Sequence, residues 1–452
     1  MTTPFRAGSA KVDITPPLTI PHLGYEPRHA FFHGVHDPLY ARALALDDGV
    51  TPVIILAVDA IGFSNELLGP GRNFTAEVCG RITEQTGVPG AQVMLATTHA
   101  HSTPETIHLR RLLDTPAAGP WLAVIVDQLV SVATMAWTGR CPSWVKLGWG
   151  EVSGLSRHRR VLGADGRIVA GPERTPVGSQ PAGPIDPQVG LLYIEAEDGS
   201  TCTVLANFAC HPVTVQVQPL VSADFPGVAM RFVERNVPRC VNSLFLQGAC
   251  GNINPVRNTT DFGDVERYGL MLGAEVVKVA AQVSAPSHPV LTPHLAVSTT
   301  TRLLAVRDLP PRADYQQAFD EAAQQFTTAQ SEEERATWRR KQRMAEEALV
   351  LIDRGSAPIP AEVQVVRIGE VALVALPGEP FVELGLVLKE QSVAPHTFVI
   401  GYANDWIGYL TTPEAWAQGG YEVAPGPWTR VGPAGGYALV EGALEQIKQL
   451  WT

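Results

Sequence analysis

Hydrophobic positions in this chain fall into short dense runs punctuated by turn residues, and between several runs the apolar spacing lengthens to the helical three-to-four. The first run ends at Pro16 and Pro17, and a loop rich in His, Gly and Pro continues to Asp37-Pro38. ARALALDD and VIILAVDAIG read as strands around an Asp-Asp-Gly turn. VIILAVDA is nearly all apolar, which predicts a central strand buried on both faces. A helix near 75–85 leads through Gly-Val-Pro-Gly to another buried strand, QVMLATTHAH. Strand, helix, strand in this order is the signature of an α/β fold.

The spacing further predicts a helix over 120–139, a strand over 144–152 and a long surface loop over 161–186. VGLLYIEAEDGSTCTVLANFACHP predicts a hairpin turning on Asp198-Gly199, and SLFLQGACGNINP a strand entering a Gly-containing loop. A helix over 264–284 and a strand over 296–304 follow. The segment 312–353 is dense in Glu, Gln, Arg and Ala and predicts two helices broken near Gln330-Ser331. Its expected role is a solvated structural excursion, with a lid or an oligomer contact as the alternative. VQVVRIG, VALVALPGE and TFVIGYAN predict strands, and 440–451 a terminal helix. With no internal repeat and no Gly/Ser linker, the expectation is one α/β domain over 1–452, with mixed sheets and flanking helices.

Composition narrows the classes. The 452 residues are 45% hydrophobic and 17% charged, enough for a large core and against a long disordered tail. A net charge of -11 argues against nucleic-acid binding, which needs clustered Lys and Arg. No unbroken apolar run approaches the ~18 residues of a transmembrane helix, so no integral membrane segment is expected. The N-terminus has no apolar core of a signal peptide, which sets the expectation of a cytoplasmic protein. The six cysteines form no C-x-x-C pair and sit mostly in apolar runs, as reduced, buried thiols do. No residue pattern specifies an oligomeric state.

The chemistry concentrates at strand ends. Thr97-Thr98-His99-Ala100-His101-Ser102 follows a buried strand, where ligands bind in open α/β sheets. In extended chain, side chains two apart share a side. His99 and His101 can therefore bind one metal, or one can bind metal and the other substrate. His211, in NFACHP, and Glu379, in ALPGEP, also end apolar strands. Two His and a Glu form a known catalytic zinc set, whereas Mg²⁺ and Ca²⁺ prefer all-oxygen ligands. Zn²⁺ would polarise an acyl carbonyl and lower the pKa of a water to about 7. There is no G-x-S-x-G elbow, P-loop or dinucleotide fingerprint. Cys250 lies between small residues with an apolar flank, more in keeping with a structural thiol than a nucleophile. Asp59 and Asp224 are candidates for contacting the histidines from behind, with helix capping as the alternative for Asp59.

These motifs together resemble the catalytic domain of the neutral (non-lysosomal) ceramidases, zinc amidases that split the N-acyl bond of ceramide. KVDITPP, GYEPRHAFFHGVHDPLYARALAL, TTHAHSTP, FACHPVTV, LQGACGNINP, ALPGEPF and GYLTTPEAW with GGYE match its motifs in order. The resemblance implies zinc ligands His99, His211, Glu379 and Tyr409. It implies His101 beside them facing substrate, Tyr421 as a hydrogen-bond donor to the carbonyl oxygen, and Arg159, in SRHRR, at the family's Asn-Arg motif, with a surface charge as the alternative. Two departures stand out. The family's proposed nucleophilic serine is Asn254 here, so a zinc-activated water is expected to attack. The C-terminal β-sandwich domain and secretion signal of animal and secreted bacterial members are not expected.

The reading is a zinc-dependent hydrolase of the C–N amide bond of a small-molecule N-acyl compound. A zinc esterase or deacetylase on a small or sugar substrate, and a non-catalytic zinc or ligand-binding protein, are the alternatives. The acidic balance, and a loop 22–36 placing His22, His29, His33 and His36 around Phe31 and Phe32, suggest a substrate more polar than ceramide.

Overall fold

The computed structural model describes residues 5–22, 31–107, 109, 112–169, 180–256, 261–309 and 311–452. Eight strands build the larger sheet: β1 (Phe5–Asp13), β2 (Tyr40–Asp47), β3 (Pro52–Val58), β4 (Val93–Thr97), β5 (Cys141–Glu151), β6 (Gln188–Ala196), β7 (Cys202–Phe208) and β8 (Cys240–Gln247). Their spatial order is β8-β7-β6-β5-β1-β2-β3-β4. Pairing is antiparallel in the middle and parallel at both edges, β3 with β4 and β7 with β8. The second sheet orders β9 (Leu295–Leu304), β10 (Ile359–Ile368), β11 (Val371–Ala375) and β12 (His396–Ile400), with β11 and β12 parallel.

The two sheets pack face to face, and helices cover their outer faces. The period of two along a strand shows how. On β3, Val53, Ile55 and Ala57 join a core with Val366, Leu373 and Phe398 of the second sheet. Ile54, Leu56 and Val58 point the other way, onto α1 (Phe74–Thr86) and α2 (Ala118–Thr138). Both faces of β3 are buried, as its unbroken apolar run predicts. α3 (Asp224–Asn236) and α4 (Phe262–Val283) cover the β7–β8 side of the same face. Beyond the second sheet lie α7 (Val382–Gln391) and α8 (Gly435–Trp451). The result is a layered α/β fold with mixed sheets and flanking helices, as expected.

Some elements differ from the sequence reading. α3 and α7 lie in short segments dense in Gly, Pro or charge, so their periodicity was too brief to mark them. α8 starts earlier than expected because Gly435 and Gly436 are buried in helix, where their lack of a side chain permits close packing. α2 is long and apolar enough to cross a membrane by length and composition, with mean hydropathy 1.4. In the fold it lays Leu122, Ile125 and Leu129 on the sheet.

α5 (Arg312–Thr328) and α6 (Glu332–Asp353) form the expected hairpin, with Ser331 capping α6 by accepting from Glu334 N at 3.1 Å. The inter-sheet core is tight. A Cβ on Gly190 of β6 would stand 2.5 Å from the Phe398 ring of β12. Gly190→Ala is therefore expected to destabilise the protein by about 1–3 kcal/mol in chemical denaturation, because neither packed sheet can yield freely.

Candidate metal centre and active site

The candidate residues meet where the parallel pairs of both sheets end. His99 and His101 follow β4, His211 follows β7, and Glu379 follows β11. Glu379–Pro380 and Tyr409–Leu410 form a short parallel ladder in which Glu379 and Tyr409 are direct partners. Gln247, at the end of β8, clasps the two histidine loops. Its Nε2 donates to the Thr98 and Cys210 carbonyls at 3.0 and 2.9 Å, and its Oε1 accepts from Cys210 N. Gly251 N donates to Pro380 O at 2.8 Å, and a Cβ there would strike the Glu379 carbonyl, so only glycine permits this approach.

His99 has φ +63°, a left-handed conformation that costs a non-glycine residue energy and recurs at functional sites. Tyr402, itself at φ +56°, holds it by stacking at 3.9 Å between ring centroids. His99 Nδ1 lies 2.5 Å from Ile61 O, and His211 Nδ1 2.5 Å from Cys250 O. A carbonyl oxygen can only accept, so both Nδ1 atoms carry the proton and both Nε2 atoms turn lone pairs inward. Those Nε2 atoms stand 3.4 and 3.2 Å from Glu379 Oε2, and His101 Nε2 is 3.0 Å from His99 Nε2. Facing lone pairs repel unless a proton or a cation lies between them. Burial pushes His211 down to about 4, so protonation of that ring is disfavoured. Burial alone would raise the Glu379 carboxyl, whereas positive charge on the side of His99 and His211 would hold it well below the usual carboxylate range. Its Oε1 accepts from Trp406 Nε1 at 3.1 Å. The donor nitrogens of His99, His101 and His211 lie within 4.8 Å of one another, and this buried set fits a metal ion.

Beside the centre runs a second buried network. Arg159 donates from Nη2 to the Tyr409 hydroxyl at 2.9 Å, from Nη1 to Asn254 Oδ1 at 3.2 Å and from Nε to Glu422 Oε1 at 2.8 Å. Glu422 also binds Arg160 at 2.7 Å, so one carboxylate orients two guanidinium groups. Burial disfavours the Arg159 cation, but Tyr409 and Glu422 more than offset it. The Tyr421 ring stacks on Trp428 at 4.9 Å and stands edge-on to Tyr409 at 6.0 Å. Burial pushes its hydroxyl pKa well up, so it keeps its proton. His101, Arg159, Asn254, Tyr409 and Tyr421 all line one cavity of about 650 Å³.

The structure brings all eight candidate residues into this neighbourhood and corrects several neighbouring expectations. The helical excursion is not merely solvated: Arg340, Arg343, Met344, Glu347 and Val350 of α6 form a wall of the cavity. Asp59 pairs with Arg42 at 2.8 Å and accepts from Tyr40 N, since the sheet places it beside β2 and away from the histidines. Asp224 accepts from Thr214 N and Phe225 N, which anchors the turn after His211 without touching the centre. Cys250 is buried, its thiol pushed up by burial and 3.2 Å from the Tyr402 hydroxyl. In the loop 22–36, His29 lies outside the described residues, while His22 is buried against Phe32 and His36 stacks on Phe262. Neither His22 nor His36 lines the cavity. Sequence reasoning missed Tyr402, Trp406, Gln247 and Glu422. Only Glu422, inside the GGYE motif, carried a local signal.

A model of the neutral/alkaline non-lysosomal ceramidase N-terminal region matches residues 5–248, more than half of the chain. Neutral ceramidase of Pseudomonas aeruginosa is 24% identical over 94% of this chain and 70% of its own length. That of Mycobacterium tuberculosis is 25% identical over 88% of this chain and 70% of its own length. The crystal structure of the Pseudomonas aeruginosa enzyme aligns with all of this chain and 75% of its own, at TM-score 0.74 and 20% identity. A structure described as ceramidase complexed with C2 aligns at TM-score 0.72 and 20% identity, over 99% of this chain and 75% of its own.

Each of His99→Ala, His211→Ala and Glu379→Ala removes one of few inward donors and is expected to abolish metal binding, read by elemental analysis of the purified variants. Tyr409→Phe leaves those donors in place and should retain part of the metal. Full metal content in all three alanine variants would refute this donor set.

Proposed function

The chain belongs to the neutral/alkaline non-lysosomal ceramidase family, and we propose that it is a zinc-dependent hydrolase cleaving the C–N amide bond of an N-acyl compound. The observation that carries this reading is the convergence of His99 Nε2, His211 Nε2 and Glu379 Oε2 beside a cavity large enough for a drug-sized ligand. Two neutral imidazoles and a carboxylate suit Zn²⁺ better than the oxygen-seeking Mg²⁺ or Ca²⁺. His99, His211 and Glu379 would hold the ion, with Tyr409, whose hydroxyl Arg159 orients, as a further ligand. When bound, Zn²⁺ supplies Lewis-acid polarisation of the acyl carbonyl and an acidified water.

The chain's own residues account for the rest of the chemistry. Tyr421 keeps its proton and faces the cavity, so it can donate to the oxygen of the tetrahedral intermediate. His101 also lines the cavity, and Gln216 Oε1 at 3.1 Å from its Nδ1 fixes the ring. It is the group placed to carry a proton to the departing amine. Asn254 receives Arg159 on its side-chain oxygen, so it steadies the arginine that orients Tyr409. An amide is no nucleophile, and the thiol of Cys250 is buried and poorly ionised, which favours direct attack by water. Assignment to an amide hydrolase rests on the family. The neutral ceramidases it resembles make ceramide the parent substrate for any test.

His101→Gln is expected to keep the metal and to lower kcat by about a hundredfold, the scale of general acid–base catalysis. Asn254→Ala should keep the metal and lose at most about tenfold in rate, since it removes one hydrogen bond to a still-buried arginine. Mass spectrometry during turnover should find no acyl adduct at Cys250. An adduct there would overturn attack by water. Zinc-loaded protein that hydrolyses no amide in an N-acyl panel, while cleaving the matching esters, would refute the amidase reading itself.

A further inference from the structure

The charged stripe on α6 has a bearing on what the cavity admits. Arg340, Arg343 and Glu347 recur at spacings of three and four, so they form one face of the helix, and all three line the cavity. The adjoining side of α6 buries Ala345, Ala348 and Leu351, which pack it on α5 and leave the stripe beside that contact turned to the cavity. Arg343 Nε stands 3.7 Å from Glu347 Oε1, so this carboxylate already has a cation beside it. Arg340 makes no ion pair among the described residues. Glu346 lines the cavity as well, so the wall carries two guanidinium groups and two carboxylates, with Arg340, Arg343 and Glu347 nearest its centre line. Leu109, Val213, Pro425, Pro427 and Trp428 supply the apolar lining.

Resting on the amidase reading above, we propose that α6 is the specificity wall of this enzyme and that Arg340, supported by Arg343, recognises an anionic group on the amine part of the substrate. The substrate class is an N-acyl amino acid: one acyl chain against the apolar lining, and a carboxylate toward α6. A guanidinium matches a carboxylate by paired, charge-assisted hydrogen bonds. A second long alkyl chain, as in ceramide, would instead have to strip water from charged side chains with no polar group in return.

The test compares kcat/KM of the zinc-loaded protein on N-lauroylglycine, N-lauroylethanolamine, N-lauroylputrescine and a long-chain ceramide in detergent. The glycine conjugate is expected to be the best substrate and the cationic putrescine conjugate the poorest of the three lauroyl amides. Arg340→Gln should lower the ratio of kcat/KM for the glycine over the ethanolamine conjugate by about fivefold through KM, as suits an exposed ion pair. Arg340→Glu should lower it further and raise the putrescine conjugate relative to both. Arg340 is exposed, so neither variant threatens folding. Ceramide as the preferred substrate, equal use of the glycine and ethanolamine conjugates, or an unchanged ratio in Arg340→Glu would each overturn the assignment to α6 while leaving the amidase reading intact. Hydrolysis of none of the four would remove the amidase reading, and this inference with it.

Discussion

The arrangement depends on one buried carboxylate, Glu379, held between the inward nitrogens of His99 and His211. Placing a charge where water cannot reach it is costly. Trp406 donates to one oxygen, and the two imidazoles turn lone pairs toward the other, an arrangement that a cation between them would stabilise. The imidazoles are aimed by backbone carbonyls of Ile61 and Cys250, so their tautomers are set by groups that can only accept. The left-handed backbone at His99 and Tyr402 is sustained by the same contacts. Relaxing either turn would swing an imidazole away from the carboxylate.

The layered fold makes that geometry possible. Three parallel strand pairs, one at each edge of the larger sheet and one in the second sheet, end at the same side of the sandwich. Loops leaving those ends need only a few residues to meet. Backbone bonds such as Gly401 N to Gln247 O, and the Gln247 side chain, stitch the two sheets together there. The centre is thus shared by segments far apart in sequence, and its donors are positioned by sheet packing.

Around this centre lie a buried arginine network and a charged helical wall. Asn254, which the sequence resemblance sets at the place of a serine, accepts from Arg159, which is also held by Glu422 and donates to the Tyr409 hydroxyl. A position read from sequence as a lost nucleophile is therefore part of an arginine-holding network. Among the described residues, α6 supplies a charged wall of the cavity.

Much of this was legible in the chain. Short dense apolar runs bounded by turn residues marked the strands, the unbroken run of VIILAVDA marked a strand buried on both sides, and His99, His211 and Glu379 each announced themselves at the end of an apolar strand. Those signals are local, because strand burial and ligand type are encoded within a few consecutive residues. The partners that make the site work were not legible. Trp406, Tyr402, Gln247 and Glu422 are ordinary residues until sheet pairing sets them against Glu379, His99, the histidine loops and Arg159. The amphipathic pattern of 332–353 predicted a helix correctly, yet a charged helical face reads the same whether it borders bulk water or a cavity. Only the packing of α6 on α5, and of that hairpin beside Tyr421 and Trp428, decided that its arginines face a cavity.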